Sequence, residues 1–435
     1  MAKNFNRREF IGVGSAAVTA GLLIGCAKGR TLNLQPFLDQ APDGAELKAG
    51  LIGCGGRGTG AAIDFLNAGP NLSVTVLGDV FRDRIDECRK KLKEEKEVEI
   101  AEEMCFVGFD AYEKVIDSGV DIIILATPPH FRPEHFAAAI NARKHVFMEK
   151  PVAVDPVGAR SIIASSKKAE SLGLCVGTGT QRRHQRDYVY TFKEVYEGAI
   201  GDIVAANCYW NQSQLWYKTP KSGWSEMEYM IRDWVNWTWL SGDHIVEQHV
   251  HNIDVVNWFA ECHPVKAVAF GGRHRRLTGD QYDFFSVDFT YENGINVHSM
   301  CRQINGCVDN VSEYLRGTKG YTNAKNAIYN PDGSIKWQYS YPLDEEGKPT
   351  NNVKVSPYVQ EHIDLVTAIR TNKPFVEAER TAISTLAAIM GRISAYTGKE
   401  VTWDEVMNSD MRLGPSEYAM GPVDIDKAIP VPGSD

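Results

Sequence analysis

The stretch Ala49-Gly50-Leu51-Ile52-Gly53-Cys54-Gly55-Gly56-Arg57-Gly58 decides the fold. Its apolar first half predicts a buried strand. Gly53, Gly55 and Gly58 make a G-x-G-x-x-G turn, and Thr59 to Ala68 reads as the helix after it. Such glycines let the backbone approach a pyrophosphate, while the helix N-terminus points N–H groups at it. A second apolar run, Leu72 to Leu77, ends in Gly78-Asp79. Asp79 stands about 20 residues beyond the last glycine, where a carboxylate accepts from the ribose hydroxyls of the adenosine half. The glycine pattern alone is weak; strand, turn, helix, strand and acid in this order predict a Rossmann unit. Gly53, Gly55, Gly56, Arg57, Gly58 and Asp79 are thus candidate cofactor ligands. Arg82 and Arg84 offer partners for a 2′-phosphate, but Asp79 would repel one, so NAD is expected rather than NADP.

Downstream, Asp121 to Ala126 is continuously apolar after its first residue, as a buried parallel strand is. It delivers Thr127-Pro128-Pro129-His130 to the carboxyl edge, where open α/β sheets bind ligands. His145 to Met148 brings Glu149-Lys150-Pro151 to the same edge, and Leu174-Cys175-Val176 leads into Gly177-Thr178-Gly179-Thr180-Gln181-Arg182-Arg183-His184. Thr127, Pro128, His130, Glu149, Lys150 and Gln181 join the cofactor candidates. The Lys- and Glu-rich run from Arg82 to Glu103 reads as a solvated helix face.

A chain of 435 residues predicts two domains, and a net charge of −9 leaves no electrostatic footprint for nucleic acid. Nine cysteines lie without metal-ligand spacing; Cys301 and Cys307 are too far apart for a zinc pair. At the N-terminus, Asn6-Arg7-Arg8-Glu9-Phe10-Ile11 reads as a twin-arginine motif. An apolar run to Ile24 follows, shorter than the ~20 residues of a membrane span. It ends in Leu23-Ile24-Gly25-Cys26, which resembles a lipobox, so lipidation of Cys26 and a periplasmic, lipid-anchored location are expected. The twin-arginine route carries folded, cofactor-loaded proteins; a nicotinamide enzyme exported this way must bring its cofactor and regenerate it in place.

The glycine fingerprint, Ala126-Thr127-Pro128, His145-Val146-Phe147-Met148-Glu149-Lys150-Pro151 and the later His251-Asn252-Ile253-Asp254 together resemble the Gfo/Idh/MocA oxidoreductases, over most of the chain after residue 48. The resemblance implies an α/β protein: an N-terminal Rossmann domain plus a C-terminal α+β domain with an open, mostly antiparallel sheet that often carries the subunit interface. It implies that Lys150 stands beside the nicotinamide and the reacting hydroxyl, stabilising negative charge on the substrate oxygen. It further implies an acid four positions before a histidine, here Glu247 and His251, with His251 accepting the hydroxyl proton. Glu stands where the family usually has Asp, and His249 where it has a small residue, so His249 is a candidate ligand or alternative base. His244, His249 and His251 also raise a metal reading, which hydride chemistry does not require.

The 177–184 loop lines the nicotinamide and substrate pocket in relatives, which makes Arg182 and His184 substrate candidates, with Asp254 of the later motif. Six of nine tryptophans fall between 210 and 239. Trp210 and its neighbours offer rings for sugar C–H faces, although most of these tryptophans are expected in a core or an interface.

The expected layout is a signal over 1–25, a linker over 26–48, the Rossmann domain over 49–175, a substrate domain over 176–420 and a tail over 421–435, with C-terminal helices able to pack back on the first domain. Three functions follow. The favoured one is an NAD-dependent oxidoreductase acting on a secondary hydroxyl of a sugar or glycoside, at carbon 3, with recycled cofactor in a homo-oligomer. The rivals are an NAD-dependent redox-neutral glycosidase on the same fold, which in relatives lacks the lysine found here as Lys150, and a sugar-binding protein without activity.

Overall fold

The computed structural model describes residues 30–434; the twin-arginine motif and Cys26 lie outside the described residues. Six strands, β1 (Leu47–Ile52), β2 (Leu72–Asp79), β3 (Cys105–Val107), β4 (Ile122–Leu125), β5 (His145–Met148) and β6 (Val176–Thr178), form a parallel sheet. Their order is 3-2-1-4-5-6. The chain reverses direction across the sheet between β1 and β4, and that crevice is where a doubly wound sheet binds ligands. The strand residues Ile122 to Leu125 are all buried, because helices cover both faces.

The second sheet has nine strands: β7 (Ile203–Gln212), β8 (Pro264–Gly272), β9 (Phe284–Tyr291), β10 (Asn296–Gln303), β11 (Asn310–Gly317), β12 (Gly320–Thr322), β13 (Ala327–Tyr329), β14 (Ile335–Gln338) and β15 (Val401–Thr402), ordered 14-13-12-11-7-10-9-8-15. Every pairing is antiparallel except β7 with β10. Alternation along β9 and β10 sends Phe285, Val287, Phe289, Val297 and Cys301 inward against helices Val250–Ala260 and Ala378–Thr397. The opposite face stays open and carries Val268, Phe270, Met300 and Tyr314.

Two segments depart from the sequence reading, the bounds of the first domain and the linker. The parallel sheet begins at Leu47 and ends at Thr178, a few residues outside the expected 49–175. Helix Pro357–Arg370 packs back on the first domain, placing Ile363, Leu365 and Val366 in the same core as Leu51 and Phe65. The supposed linker is docked from Arg30 onward: Leu32 N–H donates to Glu197 at 2.9 Å, Arg186 donates to Asp39 at 2.8 Å, and Ala41 is buried beside Ala68. Leu32 and Phe37 give this stretch apolar anchors that a polar tether lacks.

Candidate active site

The glycine turn has the shape of a diphosphate cradle. Gly53 has φ +95°, and a Cβ there would lie 2.7 Å from the backbone of Ala126. A Cβ on Gly58 would lie 1.8 Å from the carbonyl oxygen of Gly53, so helix and strand can meet only with glycine at that position. Gly55 and Gly56 differ: a Cβ on either meets no protein atom within 4 Å. That empty space lies at the N-terminus of helix Gly56–Asn67, where the free N–H groups of its first turn favour an anion.

Asp79 closes the far side. Its carboxylate accepts from Cys54 N–H at 2.7 Å and Phe81 N–H at 2.9 Å, and burial pushes its pKa up. The glycines and Asp79 line one cavity of about 410 Å³, together with Thr127 and Pro128. The cradle, the acid and the shape of the cavity fit a dinucleotide. At the carboxyl end of β6, the buried Oε1 of Gln181 has no hydrogen-bond partner, an acceptor that a bound amide would satisfy.

Between the domains, Lys150 Nζ donates to the Glu247 carbonyl at 2.7 Å and faces its carboxylate Oε1 at 3.3 Å. Behind it, Arg57 Nε donates to Glu149 at 2.5 Å, and Arg132 grips the carbonyls of Thr127, Glu149 and Pro151. Burial pushes the Glu149 pKa up, but the cations of Arg57, Lys150 and Arg132 outweigh it and hold the group ionised. His251 packs nearly parallel to Trp210, with ring centroids 5.6 Å apart. Burial, then the Lys150, Arg182 and Arg57 cations, drive its pKa well below that of a free histidine. A neutral imidazole beside a lysine ammonium can take a proton from a hydroxyl while the ammonium stabilises the oxygen.

Glu247 and His251 do not share one continuous helix: helix His244–Glu247 ends, and helix Val250–Ala260 starts after two intervening residues, Gln248 and His249. The turn between them points Glu247 at Lys150 and leaves His251 over Trp210. Arg182 pairs with Glu313 at 2.5 Å and lies 5.6 Å from the Trp210 ring centre, so it borders the same space.

Four sequence candidates stand away from this group. His249 is fully buried, bonded to Ser299 Oγ at 2.6 Å, and burial lowers its pKa to about 3. It packs against the sheet at Ser299 of β10. His184 sits between Asp364 at 2.6 Å and Glu377 at 3.2 Å; burial opposes its charge, but the two carboxylates raise its pKa to about 10. It is a buried cation fixing helix Pro357–Arg370. Asp254 takes a two-pronged bond from Arg183 at 2.7 and 3.0 Å, plus Ser384 at 2.8 Å, which occupies both oxygens. His130 Nε2 is taken by the Tyr418 hydroxyl at 2.7 Å, so the C-terminal segment covers it. The histidines at 244, 249 and 251 diverge, His244 bonding to Asp243 at 2.9 Å. Among the described residues no cluster of three His, Cys, Asp or Glu side chains is placed to hold a metal.

Of the six tryptophans between 210 and 239, only Trp210 reaches the Lys150 and His251 group. Trp216 and Trp234 line the dinucleotide cavity, and Trp237 and Trp239 are buried in an apolar cluster with Phe81 and Phe131. Residues the sequence reading passed over also matter. Tyr358 lies 4.7 Å from the Arg57 guanidinium, and Glu361 is buried with neither oxygen bonded. Both come from a helix about 300 residues after the fingerprint, and no local pattern marks them.

The sequence model of the oxidoreductase family with the NAD-binding Rossmann fold, Gfo/Idh/MocA, matches residues 47–178, and that of the GFO/IDH/MocA C-terminal domain matches 191–322. Among curated proteins, myo-inositol 2-dehydrogenase of Thermotoga maritima is 29% identical over 36% of this chain and 42% of its own length. The 2,7-anhydro-N-acetylneuraminate hydratase of Escherichia coli is 26% identical over 40% and 42%, and inositol 2-dehydrogenase of Salmonella typhimurium 25% identical over 49% and 54%. The matches thus span about half the length of these relatives, between 42% and 54%. Among solved structures, the fold is shared with scyllo-inositol dehydrogenase of Lactobacillus casei with bound NAD(H) and scyllo-inositol, at TM-score 0.59, 20% identity, covering 82% of this chain and 99% of that one. Aldose-aldose oxidoreductase of Caulobacter crescentus gives TM-score 0.63 at 18% identity, with the same coverage. The two domain matches, the shared fold and the diphosphate cradle lead to one conclusion: this chain belongs to the Gfo/Idh/MocA family of oxidoreductases, and its first domain binds NAD.

Proposed function

We propose that the protein oxidises a secondary ring hydroxyl of a sugar or glycoside, at carbon 3, using an NAD that stays bound and is recycled. The observation that carries this reading is the pairing of Lys150, held at 2.7 Å by the Glu247 carbonyl, with a buried and neutral His251 stacked on Trp210. NAD, when bound, supplies the hydride acceptor. His251 takes the hydroxyl proton; its imidazole bonds to no other described side chain and so is open to substrate. Lys150 holds the oxygen as charge grows on it, and Glu247 fixes the lysine. Trp210 offers a flat face for the ring.

One specific observation supports a second, redox-neutral reading: a similar protein, that of Escherichia coli, is named a hydratase. A ketone at carbon 3 would acidify the C–H at carbon 2 and allow elimination across the glycosidic bond. Incubation with a panel of sugars, inositols and glycosides, with mass analysis, separates the two readings. A product two mass units lighter supports oxidation, and released aglycone supports elimination. No reduction of bound NAD by any compound, or a product oxidised at carbon 1, refutes the proposal.

Two further features belong to the same proposal. The protein is exported through Arg7-Arg8 and anchored in the periplasm by lipid at Cys26. It also forms a homo-oligomer through the open face of the second sheet, where Phe270 is 67% exposed and Val268 51%.

A further inference from the structure

The cavity that holds the diphosphate cradle has a second wall. Trp216, Lys218, Ile231, Arg232 and Trp234 of the second domain line it opposite Gly55, Gly56 and Asp79. These residues come from one excursion between β7 and the helix that bears Glu247. Nothing in the Rossmann pattern requires them: the fold binds a dinucleotide from its own strand ends.

The excursion is fastened at its cavity edge by one residue. Arg232, the last residue of helix Glu226–Arg232, donates to both oxygens of Asp83, at 2.9 and 3.0 Å. Its guanidinium lies 3.9 Å from the centre of the Phe81 ring, and Phe81 N–H in turn binds Asp79. The latch therefore closes directly over the carboxylate that receives the adenosine ribose. Behind it the excursion is braced. Lys218 N–H and Asn236 both bond Asp233, and Trp216 and Trp234 pack edge to face at 6.2 Å. The C-terminal segment adds a second strap, with Met227 N–H bonded to Gly421 at 3.0 Å and Val423 N–H to Glu226 at 2.8 Å. The ammonium of Lys218 has no ion-pair partner among the described residues, although it borders a site built for a dianionic group.

We propose that residues 216–234 are a roof over the adenosine–diphosphate half of the NAD site: Trp216 and Trp234 cover the adenosine, Lys218 faces the diphosphate, and the Arg232–Asp83 pair latches the roof so that NAD leaves slowly. The roof belongs to this chain's own second domain, and it gives the recycled cofactor a physical basis. Release requires the Arg232–Asp83 bond to break and the apolar cluster of Phe81, Ile231, Trp237 and Trp239 to open.

The test uses the full chain loaded with labelled NAD and chased with unlabelled NAD. Asp83→Asn removes the exposed side of the latch without touching the core, and Arg232→Ala removes the other side. Each is expected to speed release about two- to fivefold, the range of an ion pair at a partly exposed site. The double variant should be no faster than the faster single one, because the two share one bond. Trp216→Ala should speed release about tenfold. Lys218→Met should weaken ADP, and Trp216→Ala should weaken ADP but leave nicotinamide mononucleotide unchanged, since the mononucleotide lacks the adenosine that the tryptophan covers. Release at the wild-type rate in both latch variants, or equal loss of the mononucleotide, overturns the roof. A wild-type chain that holds neither NAD nor ADP would overturn the cofactor site itself.

Discussion

The cradle makes a sharp prediction about two neighbouring glycines. At Gly55 the backbone has φ −69° and ψ −179°, which alanine adopts freely, and its Cβ would meet no protein atom within 4 Å. Gly55→Ala should leave the free protein as stable as before, or slightly more so, since alanine reduces the freedom of the unfolded chain. It should nonetheless lose NAD. A phosphate oxygen bonded to backbone N–H sits about 2.9 Å from that nitrogen, inside the space a methyl group needs. Losing one charge-assisted bond at about 1.5–3 kcal/mol raises Kd about 10- to 100-fold. Gly58→Ala inverts the pattern. Its Cβ would lie 1.8 Å from Gly53 O and 3.2 Å from the Ala126 Cβ, so backbone must move. An overpacking cost of about 1–3 kcal/mol should lower Tm by several degrees even without ligand. Thermal unfolding without NAD, followed by calorimetric titration with NAD, separates the two. If Gly55→Ala binds NAD like the wild type, or if both variants lose stability equally, the diphosphate does not lie where the cradle places it.

Lys150→Ala and His251→Ala should each slow hydride transfer about 100-fold or more while keeping NAD, read by single-turnover reduction of the bound cofactor; full activity in both would mean the site is elsewhere. His184, with its pKa raised to about 10, should contribute stability fully below pH 6.5 and lose it as pH climbs through 10. Tm should thus fall over that window in the wild type and fall less in His184→Gln. On the open sheet face, Phe270→Glu should shift the oligomer toward smaller species in light scattering without lowering NAD affinity, and an unchanged mass would refute the proposed interface. Cys26→Ser should abolish incorporation of labelled fatty acid, and persistent labelling would refute the lipid anchor.

The first domain was readable because its signals are local. A buried parallel strand, a glycine turn and a helix start are contiguous, and β1 through the fingerprint to Asp79 spans only residues 47–79. The carboxyl edge was equally legible: Thr127, Glu149 and Lys150 directly follow apolar strands that can only end there. The histidines were not. The spacing 247 to 251 is the spacing of one helix turn, but the chain breaks at Gln248 and re-enters, sending His249 under the sheet to Ser299 and leaving His251 over Trp210. Alternate residues in such a break face opposite directions, and only the packing of β7 and β10 decides which one meets the cleft.

By itself the sequence determined a Rossmann domain and its cofactor class and placed Lys150 at the carboxyl edge of the sheet, because strand periodicity, glycine conformation and Pro151 act over a few residues. The tertiary structure decided partners that stand far apart in the chain. His184 became a buried cation because Asp364 and Glu377 fold against it, Trp210 was singled out from six tryptophans, and Trp216, Trp234, Trp237 and Trp239 went to a wall of the NAD cavity and an apolar cluster. The physical reason is burial. A charge or ring takes its role from what excludes water around it, and that is set by residues the local sequence does not contain.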